Sequence, residues 1–142
     1  MSAFIWIPPQ NVGDVWSDIE PLVLQALLKT GSIDNYDPHS IKELLETARF
    51  QLWITATDRP ICVTITEVIT FPKRKVLAIF LNSSEPHTEE QWFHNIKELA
   101  RFGHENGCTA VRIGGRKGWA RKFHAEQTQT FFTIPIGNVN GK

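Results

Sequence analysis

Hydrophobic residues along this chain recur with two different periods, and the points where the period changes mark out its elements. Phe4 to Ile7 is a short β-prone run that Pro8 and Pro9, which lack ladder donors, bring to an end. From Val12 to Thr30 the apolar positions Val12, Val15, Trp16, Ile19, Leu22, Val23, Ala26 and Leu27 fall three and four apart, the spacing of one helical face. Pro21 interrupts that stretch and predicts a kink or two helical pieces, and Gly31 closes it. Asp37-Pro38 supplies an N-cap and a proline for the first helical position. A second helix from His39 to Ala48 follows, burying Ile41, Leu44, Leu45 and Ala48.

At Phe50 the period shortens to that of a strand. Phe50 to Thr57 is rich in aromatic and β-branched residues, and Asp58-Arg59-Pro60 turns the chain. Ile61 to Phe71 alternates, with Ile61, Val63, Ile65, Ile69 and Phe71 on one face and Glu67 as the single carboxylate among them. After the turn Pro72-Lys73-Arg74, the nearly unbroken apolar run Val76 to Leu81 reads as a central strand covered on both faces. These three strands form an antiparallel meander. Thr88 and Gln91 make a capping box for a third helix with Trp92, Ile96, Leu99, Ala100 and Gly103 on its stripe, closed at Glu105-Asn106-Gly107. Thr109 to Ile113 is a fifth strand, a short fourth helix follows, and Thr128 to Ile136 is a last strand. The order β-α-α-β-β-β-α-β-α-β describes an α+β fold over residues 1–136, with 137–142 as a C-terminal tail.

Composition narrows the function classes. With 142 residues and 42% hydrophobic content the chain suffices for one packed domain. Fifteen cations balance fifteen anions, so no global field draws it to nucleic acid or membrane, and anion binding has to be local. Cys62 and Cys108 fit neither a metal spacing nor a redox pair and read as reduced, buried small hydrophobes. No apolar run approaches a membrane span, and the N-terminus lacks the pattern of a signal peptide. His39, His87, His94, His104 and His124 are scattered, so no metal is expected. Ser83, His87 and Glu90 lack a nucleophile elbow and read as a helix-capping loop.

The stretch IGGRKGWARKF is the most basic of the chain. Gly114 and Gly115 permit a sharp exit from the fifth strand, and Gly118 and Trp119 set the start of the fourth helix. Arg112, Arg116, Lys117, Arg121 and Lys122 surround that tryptophan. A solvated helix face, an interface anchored on arginine and tryptophan, and a phosphate contact all fit this composition. The spacing G-G-x-x-G matches no dinucleotide or Walker pattern, so a structural turn comes first and a basic contact surface second.

The order of elements resembles the GNAT superfamily of acyl-CoA N-acyltransferases across nearly the whole chain. The segment GCTAVRIGGRKGWARKF is similar to one in small phage-encoded GNAT-like proteins. The resemblance implies a mixed, mostly antiparallel central sheet with helices on both faces, and a cofactor pyrophosphate held by a glycine-rich loop at a helix N-terminus. The corresponding loop here, LNSSEPHTEEQW, has no glycine, contains Pro86, and carries Glu85, Glu89 and Glu90 where a polyanion would dock. The expectation is therefore a degenerate loop and no cofactor. If acetyl-CoA does bind, Asn82, Ser83, Ser84 and Thr88 are the donors available to it. The resemblance also implies catalytic roles: Glu67 as general base, and His124 as the acid, four residues after Ala120 in place of the family's tyrosine. The sole tyrosine, Tyr36, lies in the loop between the first two helices and cannot fill that position.

Three functional expectations follow. The first is a virion-associated assembly component, located in the virion or host cytoplasm, whose partners are other phage structural proteins or a second copy of the chain. The second is an active acetyl-CoA-dependent N-acetyltransferase, which needs an open cleft between the fourth and fifth strands. The third, less favoured, is a nucleic-acid-contacting module built on the basic segment.

Overall fold

The structure is a computed structural model and describes residues 3–83, residues 89–113 and position 135. Helix α1 (Val12–Thr30) places Val12, Trp16, Ile19, Val23, Ala26 and Leu27 on one buried stripe. Pro21 neither breaks nor divides it, contrary to the sequence expectation. The ring sits on the exposed face with Ser17, whose carbonyl loses its helical donor but remains open to water. Gly31 ends the helix at φ 79°, with its N–H reaching the Leu28 carbonyl.

Helix α2 (Pro38–Glu46) starts where the Asp37-Pro38 pair predicts. The Asp37 carboxylate accepts from the Ser40 N–H at 2.7 Å, and the Ser40 hydroxyl accepts from the Asp37 N–H at 3.0 Å. The Ser40 amide holds the Asp37 carboxyl below its ordinary value, so this part of the cap persists above pH 4 or so and fades as the pH falls through the lowered folded value. The helix stops short of Ala48, which is exposed instead of buried and adopts φ 64°. Ala48 N–H bonds to the Leu45 carbonyl and Arg49 N–H to the Leu44 carbonyl, a helix stop that normally uses glycine.

Five strands follow in the order β1-β2-β3-β4-β5: β1 (Ala3–Ile7), β2 (Phe50–Ala56), β3 (Pro60–Thr70), β4 (Lys75–Asn82) and β5 (Cys108–Arg112). The first four pair antiparallel with one another in succession, and β5 runs parallel to β4. A parallel neighbour requires a crossover, which helix α3 (Glu89–Glu105) supplies. The mixed, mostly antiparallel sheet with helices on both faces is thus present. The fourth helix, the last strand and the tail expected after Ile113 lie outside the described residues, as does the side chain of Trp92.

Alternation along the strands builds two cores. Phe50, Leu52, Ile54, Val63, Ile65 and Leu81 pack against α1 and α2. On the other face Trp53 and Leu77 pack with Ile96 and Leu99 of α3 and with Cys108. Trp53 stacks on Phe4 at 5.1 Å, meets Phe102 edge-on, and donates its indole N–H to Thr66 at 3.1 Å. Gly103 lets α3 close on the sheet, since a Cβ there would lie 3.4 Å from the Cys108 Cβ and 3.5 Å from that of Leu77. Both cysteines are free and buried, and burial pushes the Cys108 thiol up against the opposing charge of Lys75. Ala100, placed on the helical stripe by periodicity, is exposed, and the neighbouring buried position is Asn95.

Left-handed backbone disfavours any residue with a Cβ, and this stop holds an alanine. Ala48→Gly is expected to raise the urea midpoint with an unchanged slope, a gain of about 1 kcal/mol.

Candidate functional site

Strand β4 and strand β5 pair only from Lys75↔Cys108 to Ala78↔Arg112. Beyond Ala78, β4 continues through Ile79 to Asn82 with no β5 partner among the described residues. The described β4–β5 pairing thus ends at Ala78 and Arg112, the vertex of a fork of which the β4 arm alone is described. On the other side of β4, Leu81 pairs with Ile65 and Ile79 with Thr66, so Phe80 is an extra residue. This bulge turns β4 at the fork and disturbs the ladder locally.

The register carries a single row across four strands: Phe50↔Glu67↔Ala78↔Arg112. Glu67 is thus one strand away from the vertex, about 5 Å at the backbone. It follows Val63 and Ile65 at intervals of two, so it shares their face, the α1–α2 side. Glu67 is half-buried and forms no ion pair with Arg74 or Lys75, and its carboxylate has no hydrogen-bond partner among the described residues.

Three aromatic rings stand on the same face. Tyr36 meets Phe80 edge-on at 4.9 Å and Phe50 at 6.2 Å, while Phe50 and Phe80 are 5.1 Å apart. Tyr36, Phe50 and Glu67 also line an open groove of about 750 Å³ that reaches Leu44, Arg49 and Lys75. Sequence reasoning missed this cluster. Tyr36 was weighed only as a proton donor, and Phe80 was one residue in a uniformly apolar run with no mark of a bulge.

The other predicted site residues divide into three groups. Asn82 lies on the α3 side of the fork, its Oδ1 accepting from Thr64 at 2.9 Å and from the Cys62 thiol at 3.2 Å. Ser83 extends the β3 ladder, its N–H bonding to the Val63 carbonyl and its Oγ accepting from the Val63 N–H at 2.8 Å. Arg112 lays its guanidinium over the Phe71 ring at 5.5 Å, a cation–π contact within the fold. Ser84, Thr88, Arg116, Lys117, Trp119, Arg121, Lys122 and His124 lie outside the described residues. Among the described residues no three His, Cys, Asp or Glu side chains converge to hold a metal, and no helix is long and apolar enough to cross a membrane.

No sequence-family description and no curated protein match the chain. Solved structures do. An aminoglycoside acetyltransferase from an uncultured soil metagenomic sample superposes with a TM-score of 0.69 at 14% identity, over 96% of this chain and 99% of its own. A ribosomal-protein-alanine N-acetyltransferase from Brucella melitensis gives 0.66 at 12% identity, over 96% and 100%. A predicted acetyltransferase from Clostridium acetobutylicum, solved with acetyl-CoA, gives 0.64 at 14% identity, over 96% and 97%. The chain has the GNAT fold.

This finding corrects the expectation of no cofactor. A GNAT-fold acetyltransferase that holds acetyl-CoA matches the chain nearly end to end. The glycine-free loop misled because it speaks only for the pyrophosphate contacts. The fork itself is made by backbone pairing, which the loop sequence does not report.

Ser83 offers a direct check on what its hydroxyl does. Ser83→Ala leaves the buried Val63 N–H unpaired and is expected to cost about 1–3 kcal/mol in urea unfolding, with faster hydrogen exchange at the Val63 amide. A hydroxyl serving only a ligand would leave both unchanged.

Proposed function

We propose that the protein is an acetyl-CoA-dependent N-acetyltransferase with Glu67 as its general base. The observation that carries this reading is the row Glu67↔Ala78↔Arg112, which sets a carboxylate with no partner among the described residues beside the end of the described β4–β5 pairing. The acetyltransferase activity of the structural neighbours supports it.

The fork fits the cofactor. The β5-facing edge of β4 from Ile79 to Asn82 offers backbone groups to the amides of an extended pantetheine arm, much as a sheet edge takes up an added strand. Asn82 and Ser83 stand at the end of that edge, the phosphates would lie beyond them, and Ser84 and Thr88 are the next donors along the sequence. The cofactor supplies an acyl group activated as a thioester.

The rest of the work falls to the chain. Most amines are protonated at neutral pH and carry no free electron pair, so a base is needed at the vertex. Glu67 is the only carboxylate lining the groove among the described residues, and it takes that proton. Tyr36, Phe50 and Phe80 form an apolar wall beside it that limits water. His124 returns a proton to the departing thiolate, the role assigned to it by the sequence resemblance.

One observation favours the assembly reading. Strand β1 is the sheet edge, and Ile5 and Trp6 on it are 45% and 43% exposed. An apolar edge strand suits a partner chain, whether a phage structural protein or a second copy. The phage source and virion location in that reading draw on the GCTAVRIGGRKGWARKF resemblance.

Calorimetric titration with acetyl-CoA, followed by thiol release against a panel of primary amines, tests the enzyme. Glu67→Gln is expected to lower kcat by about 10²–10⁴ with the Kd for acetyl-CoA unchanged. Absence of acetyl-CoA binding would overturn the enzyme, and an unchanged kcat would remove Glu67 from it.

A further inference from the structure

We propose that the amine acceptor is a small zwitterion, an α-amino acid with an apolar side chain, whose carboxylate is held by Arg49 while its ammonium faces Glu67. The proposal rests on the acetyltransferase reading and names its substrate class.

The groove beside Glu67 sets the terms. Its ionic lining among the described residues is one carboxylate, Glu67, and two cations, Arg49 and Lys75. None of the three is engaged in an ion pair with another described residue. A polycationic acceptor would meet two like charges and a single opposite one. A zwitterion meets an opposite charge at each end.

Arg49 is the cation placed for the anionic end. It precedes Phe50 directly, and Phe50 pairs with Glu67, so the backbones of Arg49 and Glu67 are near neighbours and both residues line the groove. Lys75 belongs to the other side of the sheet, near Gly107 and Cys108.

The backbone under Arg49 is fixed. Its N–H bonds to the Leu44 carbonyl at 3.0 Å, the Ala48 N–H bonds to the Leu45 carbonyl at 3.2 Å, and Ala48 holds the left-handed turn between helix and strand. A planar guanidinium on such a base can grip a carboxylate through two parallel hydrogen bonds. Tyr36, Leu44 and Phe50 supply the apolar wall for the side chain. The volume of about 750 Å³ lies within the usual range for small-ligand clefts.

L-Phenylalanine and phenethylamine differ by the carboxylate alone, and both are titrated into the full chain without cofactor, beside an aminoglycoside. Phenylalanine is expected to bind about ten-fold tighter than phenethylamine. Arg49→Gln is expected to abolish that difference by weakening phenylalanine alone, and Arg49→Lys to restore part of it. Equal weakening of both ligands by Arg49→Gln, tighter binding of phenethylamine or the aminoglycoside, or no binding of phenylalanine would overturn the proposal. With acetyl-CoA present, Arg49→Gln should raise KM for phenylalanine and leave kcat in place. Acetylation of phenethylamine without acetylation of phenylalanine would sink the acceptor class and spare the enzyme. Phenylalanine binding with no acetyl transfer to any amine would sink the enzyme and spare the amino-acid site.

Discussion

Strand β4 has to satisfy two neighbours of opposite sense, β3 antiparallel and β5 parallel, and it does so only as far as Ala78. An antiparallel ladder and a parallel one differ in the spacing and slant of their bonds, and a bulge at Phe80 shifts β4 against β3 just past that point. The described pairing of β5 with β4 ends there. The crossover through α3 fixes where β5 begins, and Gly103 lets that helix press against Leu77 and Cys108, holding the paired part of the fork closed. The open part is thus defined by how tightly the closed part is packed.

The same constraint arranges the two faces. The rows of the sheet carry Trp53, Thr66 and Gln51 on the α3 side in a chain of one buried and one part-buried hydrogen bond, leaving that face committed to packing. The opposite face carries Phe50, Phe80 and Glu67 under the loop that presents Tyr36. Among the described residues, the second face combines a carboxylate that no described residue partners with space in front of it, which is why the proposed chemistry is placed there.

Much of this architecture was legible in the sequence. Element order followed from hydrophobic period and from turn residues such as Asp37-Pro38 and Gly31, which act locally and so appear locally. Glu67 also stood out, as a carboxylate on an apolar strand face. What was hidden depends on pairing. No residue in VLAIFL announces that Phe80 is bulged, because the bulge is a mismatch between two ladders. Ala48 follows α2 in a conformation usually given to glycine, so the periodicity runs two residues past the helix end at Glu46. Pro21 misled in the other direction, since its cost depends on whether the carbonyl it orphans faces water.

The inference from the loop LNSSEPHTEEQW failed for a related reason. Glycines at a phosphate site allow close approach to the backbone, and acidic residues there oppose a polyanion, so the local argument is sound for one end of a long ligand. It does not extend to the other end, where in the proposed reading an extended amide-bearing chain would meet the edge of β4 and the reacting group would meet the row through Ala78. Affinity for such a ligand is a sum over both ends, and the apolar and backbone contacts of the fork can offset a poor phosphate cradle. A protein built this way would bind acetyl-CoA more weakly than its fold permits while keeping the catalytic geometry intact, because Glu67 is placed by strand register and not by the loop.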